Sequence, residues 1–125
     1  LKDRIENSAI RIFDGTRYRT VFDDILDMIA VIDRSLVGKG RVDFDNDYML
    51  QLAIQRAIEI VSEASRHIPS ELLEQAPEVP WPSIRGMGNI LRHQYHRIVN
   101  DVIWHVVIHD LPILRLAILS MKTRL

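Results

Sequence analysis

The sequence predicts an all-α bundle of four to five helices, and three observations carry that prediction. Apolar residues recur at helical spacing through Val21–Leu36 and Leu50–Ala64. No segment sustains the apolar–polar alternation of a strand. Glycines and prolines fall at the ends of the periodic runs, where helices stop and start.

Val21, Ile25, Met28, Ile29, Ile32 and Leu36 form one apolar face, with Asp23, Asp24, Asp27, Asp33 and Arg34 mostly outside it. Gly38 and Gly40 end this first helix. The Asp- and Asn-rich turn Phe44–Asp47 suits the N-cap of a second, which carries Leu50, Ile54, Ala57, Ile58, Val61 and Ala64 and should stop near His67–Pro69. Ser70 with Glu71 and Glu74 predicts a short helix before Pro77. The stretch Pro77-Glu-Val-Pro-Trp-Pro82 is extended, and Pro82 opens a third long helix running to about His96. Asn100 is placed to cap a fourth, with Ile103, Trp104, Val107 and Ile108. Asp110-Leu-Pro112 then caps or kinks the chain into a last stretch ending near Met121. Residues 1–20, with Ile5, Ala9, Ile12 and Phe13, read as a short helix broken at Gly15 or as an arm, and residues 21–122 as the helical domain.

At 125 residues the chain has the length of one domain. With 47% hydrophobic and 26% charged residues it is neither a disordered tail nor a collagen-like repeat. No cysteine is present, which excludes disulfides, thiolate zinc sites and thiol catalysis. Uninterrupted apolar runs such as Met28–Ile32 fall far short of a membrane span, so a cytoplasmic protein away from membranes is expected. A net charge of −1 does not describe a polycation built to coat nucleic acid. The charge is nevertheless uneven: Val79–Asn100 holds no acidic residue but carries Arg85, Arg92, His93, His96 and Arg97.

On a helix of 100° per residue, Ile84, Met87, Leu91 and Ile98 line the core side of this segment. Arg85, Asn89, Arg92, His93 and His96 gather on another side. Arginine holds a phosphate through paired hydrogen bonds, and histidine moves protons near neutral pH. Together they suffice for metal-free RNA cleavage. One group assists the ribose 2′-OH against the adjacent phosphorus, another protonates the leaving oxygen, and a cation stabilises the phosphoryl charge. A solvated polar helix face accounts for the same spacing.

Several other patterns resolve more simply. His105 and His109 lie one turn apart with Asp101 a turn earlier, a spacing that can bind metal, but no fourth ligand is evident. Asp43, Asp45 and Asp47 lack the glycine and glutamate of a calcium loop and read as helix caps. Gly86 and Gly88 follow no strand and make no phosphate loop. Trp81 and Trp104 read as core or interface aromatics. Asp23, Asp24 and Asp27 either orient an arginine on a neighbouring helix or form a solvated side. No metal or cofactor is expected.

An ordered set of elements narrows the choice. Asp24-Ile-Leu26, Phe44 with Asp47, Ala57-Ile-Glu-Ile-Val-Ser-Glu-Ala64, Pro77-Glu-Val-Pro-Trp81, Ile84-Arg-Gly-Met87, Asn89, His93-Gln-Tyr95, Trp104 and Asp110-Leu-Pro112 follow one another along residues 21–120. In this set the chain resembles the HepT-like branch of the HEPN (higher eukaryotes and prokaryotes nucleotide-binding) superfamily. The resemblance implies a helical-bundle ribonuclease toxin working as a homodimer, with two Arg-x4–6-His motifs facing each other across a cleft. It also implies a minimal nucleotidyltransferase antitoxin that attaches AMP to the tyrosine of a His-x-Tyr element. His93 matches the motif histidine, Tyr95 the modified tyrosine and Asn89 the polar residue after the motif arginine. The arginine position itself is Gly88. Two readings follow: a lost ribonuclease kept as a binding module for the nucleotidyltransferase or RNA, or relocation of the guanidinium to Arg92 or Arg85. Arg92 is one turn beyond Gly88 and leans back over it, so it is the expected substitute, with Arg85, His96 and Arg97 as RNA contacts. Tyr95 and His93 lie about 160° apart on an ideal helix, so they share one cleft only if the helix breaks near Gln94 or a second protomer contributes.

Overall fold

In the computed structural model of the protein, residues 2–124 are described along the backbone, and residues 18–95 and 97–124 also in their side chains. The expected all-α bundle is borne out, with no strand among the described residues. α1 (Lys2–Ser35) lays Phe22, Ile25, Ile29 and Ile32 into the core. It runs straight through Gly15, where the sequence pattern expects a break. A single glycine costs a helix only about 1 kcal/mol, too little to end one by itself. Termination comes at Gly38, whose φ of 72° is the left-handed conformation that glycine adopts freely.

α2 (Arg41–Asp45) is a single turn that buries Phe44 against the Trp104 ring, with centroids 5.5 Å apart. The Asp47 carboxylate then caps α3 (Tyr48–Ser65) by accepting from Leu50 N at 3.0 Å. α3 is the central element: it packs on α1 along one side and on α5 along the other. Leu50, Ile54, Ala57, Ile58 and Val61 are its buried residues, as their spacing predicts.

α4 (Ser70–Leu73) leads into the proline-rich stretch. Trp81 anchors that stretch by donating its indole N–H to the carbonyls of Leu73 and Ala76 at 3.1 and 3.0 Å. α5 (Trp81–His93) opens with Pro82 in its first turn and buries Ile84, Met87, Gly88 and Leu91.

Two boundaries differ from the sequence reading. The third long helix does not reach His96: Gln94 and Tyr95 are extended, and α6 (His96–His105) starts immediately after them. Asn100 therefore caps nothing. It lies inside α6, buried, and not at the N-cap that its side chain would suit. The Asp110-Leu-Pro112 element does kink the chain. A π-helical turn over Val106–Asp110, closed by Leu111 N–H to Val106 O, precedes α7 (Leu111–Thr123). This wider turn adjusts the backbone just before Pro112, which has no N–H to give the ladder.

The continuous rod Arg97–Thr123 is long and apolar enough to cross a membrane by length and composition, although 44% of its most apolar window is buried in the bundle. Ile103, Leu111, Leu114, Ile118 and Met121 supply that buried face. Ile108, Ile113, Leu116 and Leu119 are exposed on the other.

Candidate functional site

The site is built where α3 and α5 pack together, and small residues, Ser62 and Gly88, stand at the contact. Ser62 on α3 is buried. Its hydroxyl donates to Arg85 O and accepts from Gly88 N, both at 3.2 Å. A Cβ at Gly88 would stand 3.3 Å from Ser62 Oγ, tighter than ordinary van der Waals contact, and 3.8 Å from Arg92 Nη1. Arg92 thus reaches back over Gly88, as the lean of helical side chains predicts.

One turn along α3 from Ser62 sits Glu59, whose side chain is only 13% exposed. Its Oε1 lies 3.7 Å from Arg92 Nη1 and 3.8 Å from Arg56 Nη1. Its Oε2 accepts from Gln55 Nε2 at 3.3 Å, and the same amide nitrogen donates to Leu91 O at 3.5 Å. A cavity of about 330 Å³ opens beside these groups, lined by Asp24, Arg56, Glu59, Glu63, His67 and Arg92 over the apolar Val21, Ile60 and Ala64. Asp24 of α1 therefore does face the helix that carries Arg92. Asp23, its neighbour, pairs with Lys122 Nζ at 2.5 Å instead.

The polar face expected on one helix is divided by the fold. Asn89, Arg92 and His93 remain together, exposed on the last turns of α5. Arg85 is drawn away: its guanidinium donates to Arg66 O at 3.4 Å, and its buried Nε has no partner among the described residues. Arg97 belongs to α6 and is exposed, whereas the side chain of His96 lies outside the described residues. Tyr95 is 83% exposed at the joint between α5 and α6, so the break near Gln94 that would let it share a cleft with His93 is present.

The acidic residues around α2, and Asp101 on α6, are taken up in caps and ion pairs. Asp43 accepts from Gly40 N at 2.8 Å and Asp47 caps α3. Asp45 pairs with Arg41 at 2.9 Å. Arg41 also reaches Asp101 at 2.5 Å, tying α2 to α6, and Asp101 followed by Asp45 holds the guanidinium above its ordinary pKa. Asp101 is therefore committed to an arginine. His105 and His109 face each other with ring centroids 4.7 Å apart across the π-helical turn. Among the described residues no three histidine or carboxylate side chains converge as a metal would require.

The sequence pattern singles out neither Gln55 nor Arg56, and it carries Glu59 and Ser62 only as members of the Ala57–Ala64 element. The one signal for Glu59 as a single residue was a glutamate set between Ile58, which is buried, and Ile60, which is half-buried.

Comparison with known proteins adds an independent line. A family model described as "Ribonuclease HepT-like" matches residues 25–121. A Methanocaldococcus jannaschii protein named as an RNase is 41% identical over 70 residues, a match spanning 56% of this chain and 64% of that relative. A Thermococcus cleftensis protein named "Probable ribonuclease HepT" is 33% identical over 98 residues, covering 78% of this chain and 89% of its own length. A third relative, from Caldanaerobacter subterraneus subsp. tengcongensis and also named as an RNase, is 31% identical over 94 residues, 75% of this chain and 84% of its own. No solved structure matches.

Proposed function

Because this chain belongs to the HepT-like ribonuclease family, we propose that it is a metal-independent endoribonuclease of the cytoplasm, acting as a homodimeric toxin and neutralised by a minimal nucleotidyltransferase antitoxin. The observation that carries the reading is the placement of the Arg92 guanidinium over Gly88, on the same exposed helix end as Asn89 and His93.

In the reaction, the ribose O2′ bonds to the adjacent phosphorus while the P–O5′ bond breaks. The 2′-OH proton passes to a base and O5′ takes a proton from an acid, leaving a 2′,3′-cyclic phosphate and a 5′-OH. His93 from each of two protomers would fill these two roles. Arg92, with its planar set of donors, would bind the phosphoryl oxygens as their charge grows, and Asn89 would hold a phosphate or ribose oxygen beside it. Arg85, His96 and Arg97 would bear on the flanking RNA. No step needs a metal or cofactor.

A second reading rests on Gly88 itself. With no arginine at that position and Ser62 packed against it, the chain would serve as an interaction module that binds a nucleotidyltransferase or RNA without cutting. One assay separates the two: labelled RNA incubated with purified protein in EDTA, wild type beside His93→Ala. Cleavage by the wild type alone is expected. A stable nucleotidyltransferase complex with no cleavage by either form would replace the ribonuclease by the binding module. Sedimentation that shows a monomer at high micromolar concentration would remove the composite cleft.

A further inference from the structure

We propose that Glu59 is the positioning residue for Arg92, setting the direction in which its guanidinium meets the phosphate; this rests on the ribonuclease reading above. A half-exposed arginine on the last turn of a helix is free to sample many rotamers, and a free guanidinium must be ordered at every turnover. Glu59 removes much of that freedom. Its carboxylate comes from a neighbouring helix and is largely shielded from water, so its attraction for Arg92 is less screened than that of a surface pair.

The carboxylate is itself held. Gln55 donates to one oxygen while also reaching the carbonyl of Leu91, the residue preceding Arg92. The amide therefore links Glu59 to the same turn of α5 that bears the arginine. Arg56 approaches the other carboxylate oxygen from the solvent side. On the opposite flank, Gly88 leaves room for the guanidinium. At 3.7 Å the Arg92–Glu59 contact is an ion pair and not a hydrogen bond, so it aims the guanidinium without consuming its donors.

The test combines RNA cleavage with nuclear magnetic resonance of the Arg92 side-chain Nε–Hε group. Glu59→Gln should lower kcat by about tenfold or more with KM within about twofold, because misorientation weakens the transition state more than RNA binding. In an Arg92→Ala background the same change should lower kcat no further. The Arg92 Nε–Hε signal should be resolved in the wild type and move toward free arginine in Glu59→Gln. Glu59→Asp, which keeps the charge on a shorter arm, should fall between the two and serves if Glu59→Gln loses its helical circular dichroism. An equal loss of kcat with or without Arg92, or an unmoved Nε–Hε signal, would overturn the positioning role. If the wild type cleaves no RNA, the ribonuclease reading fails and the resonance result alone decides for or against Glu59.

Discussion

Arg92 and Gly88 share one volume of space: Arg92 Nη1 lies 3.8 Å from where a Cβ on Gly88 would stand. Ser62 bounds that volume on its other side, at 3.3 Å from the same point, and its hydroxyl is held by two hydrogen bonds. A side chain at position 88 must therefore move one neighbour or both.

The first prediction concerns this packing. Gly88→Ala removes a helix penalty of about 1 kcal/mol but presses on the Ser62 hydroxyl. In the Ser62→Ala background the pressure is gone. Urea denaturation should show the double variant to be more stable than the sum of the single changes by about 0.5–1 kcal/mol. Strict additivity would mean that the two sites do not touch.

A second prediction ranks the arginines. Arg92→Ala should reduce RNA cleavage by about a hundredfold, comparable to His93→Ala, as expected when a charge-stabilising or proton-transferring group is lost. Arg85→Ala should do much less, since its guanidinium is turned to the Arg66 carbonyl. Full activity in the Arg92 variant would end the assignment.

The third concerns Tyr95. Its phenol is exposed at a non-helical joint, within reach of a modifying enzyme. Incubation with a cognate nucleotidyltransferase and ATP should add AMP there, visible in the intact mass and absent in Tyr95→Phe. An addition that persists in Tyr95→Phe places the modification elsewhere.

Trp81 supports the fourth. Replacing it by Phe retains most of the ring but removes the indole N–H, so the Leu73 and Ala76 carbonyls keep only the backbone donors Ala76 N and Val79 N. The unfolding free energy from urea titration should fall by about 0.5–1.5 kcal/mol. A change under a few tenths would show that water replaces the indole without cost.

Much of this architecture could be read in advance, and the failures have a common cause. The buried faces of α1 and α3 follow from residues spaced along one helix, and the Asp47 cap and Pro82 from local backbone chemistry. The break at Gln94–Tyr95 has no glycine or proline to announce it. Arg85 and Arg92 project from one helix, yet their heads reach different partners, Arg66 O just past the end of α3 and Glu59 within it, because a long side chain selects its partner in tertiary space. Glu59 acquires its role from α5, which its own helix cannot foretell. Asn100, polar and suited to a cap, is instead inside α6.

The cavity beside Arg92 has a further consequence. Apart from His67, its lining sets two arginines, Arg56 and Arg92, against three carboxylates, Asp24, Glu59 and Glu63. Such a site exerts little pull on a polyanion at a distance, and the chain's net charge of −1 adds none. Each phosphate engaged on a single strand releases about 0.7 counterions' worth of salt dependence. RNA held mainly through Arg92 of each protomer should thus show a logarithmic salt slope of only about −1.4, with an association rate almost indifferent to ionic strength. Capture would depend on close-range fit, and RNAs of equal length but different shape would compete unequally.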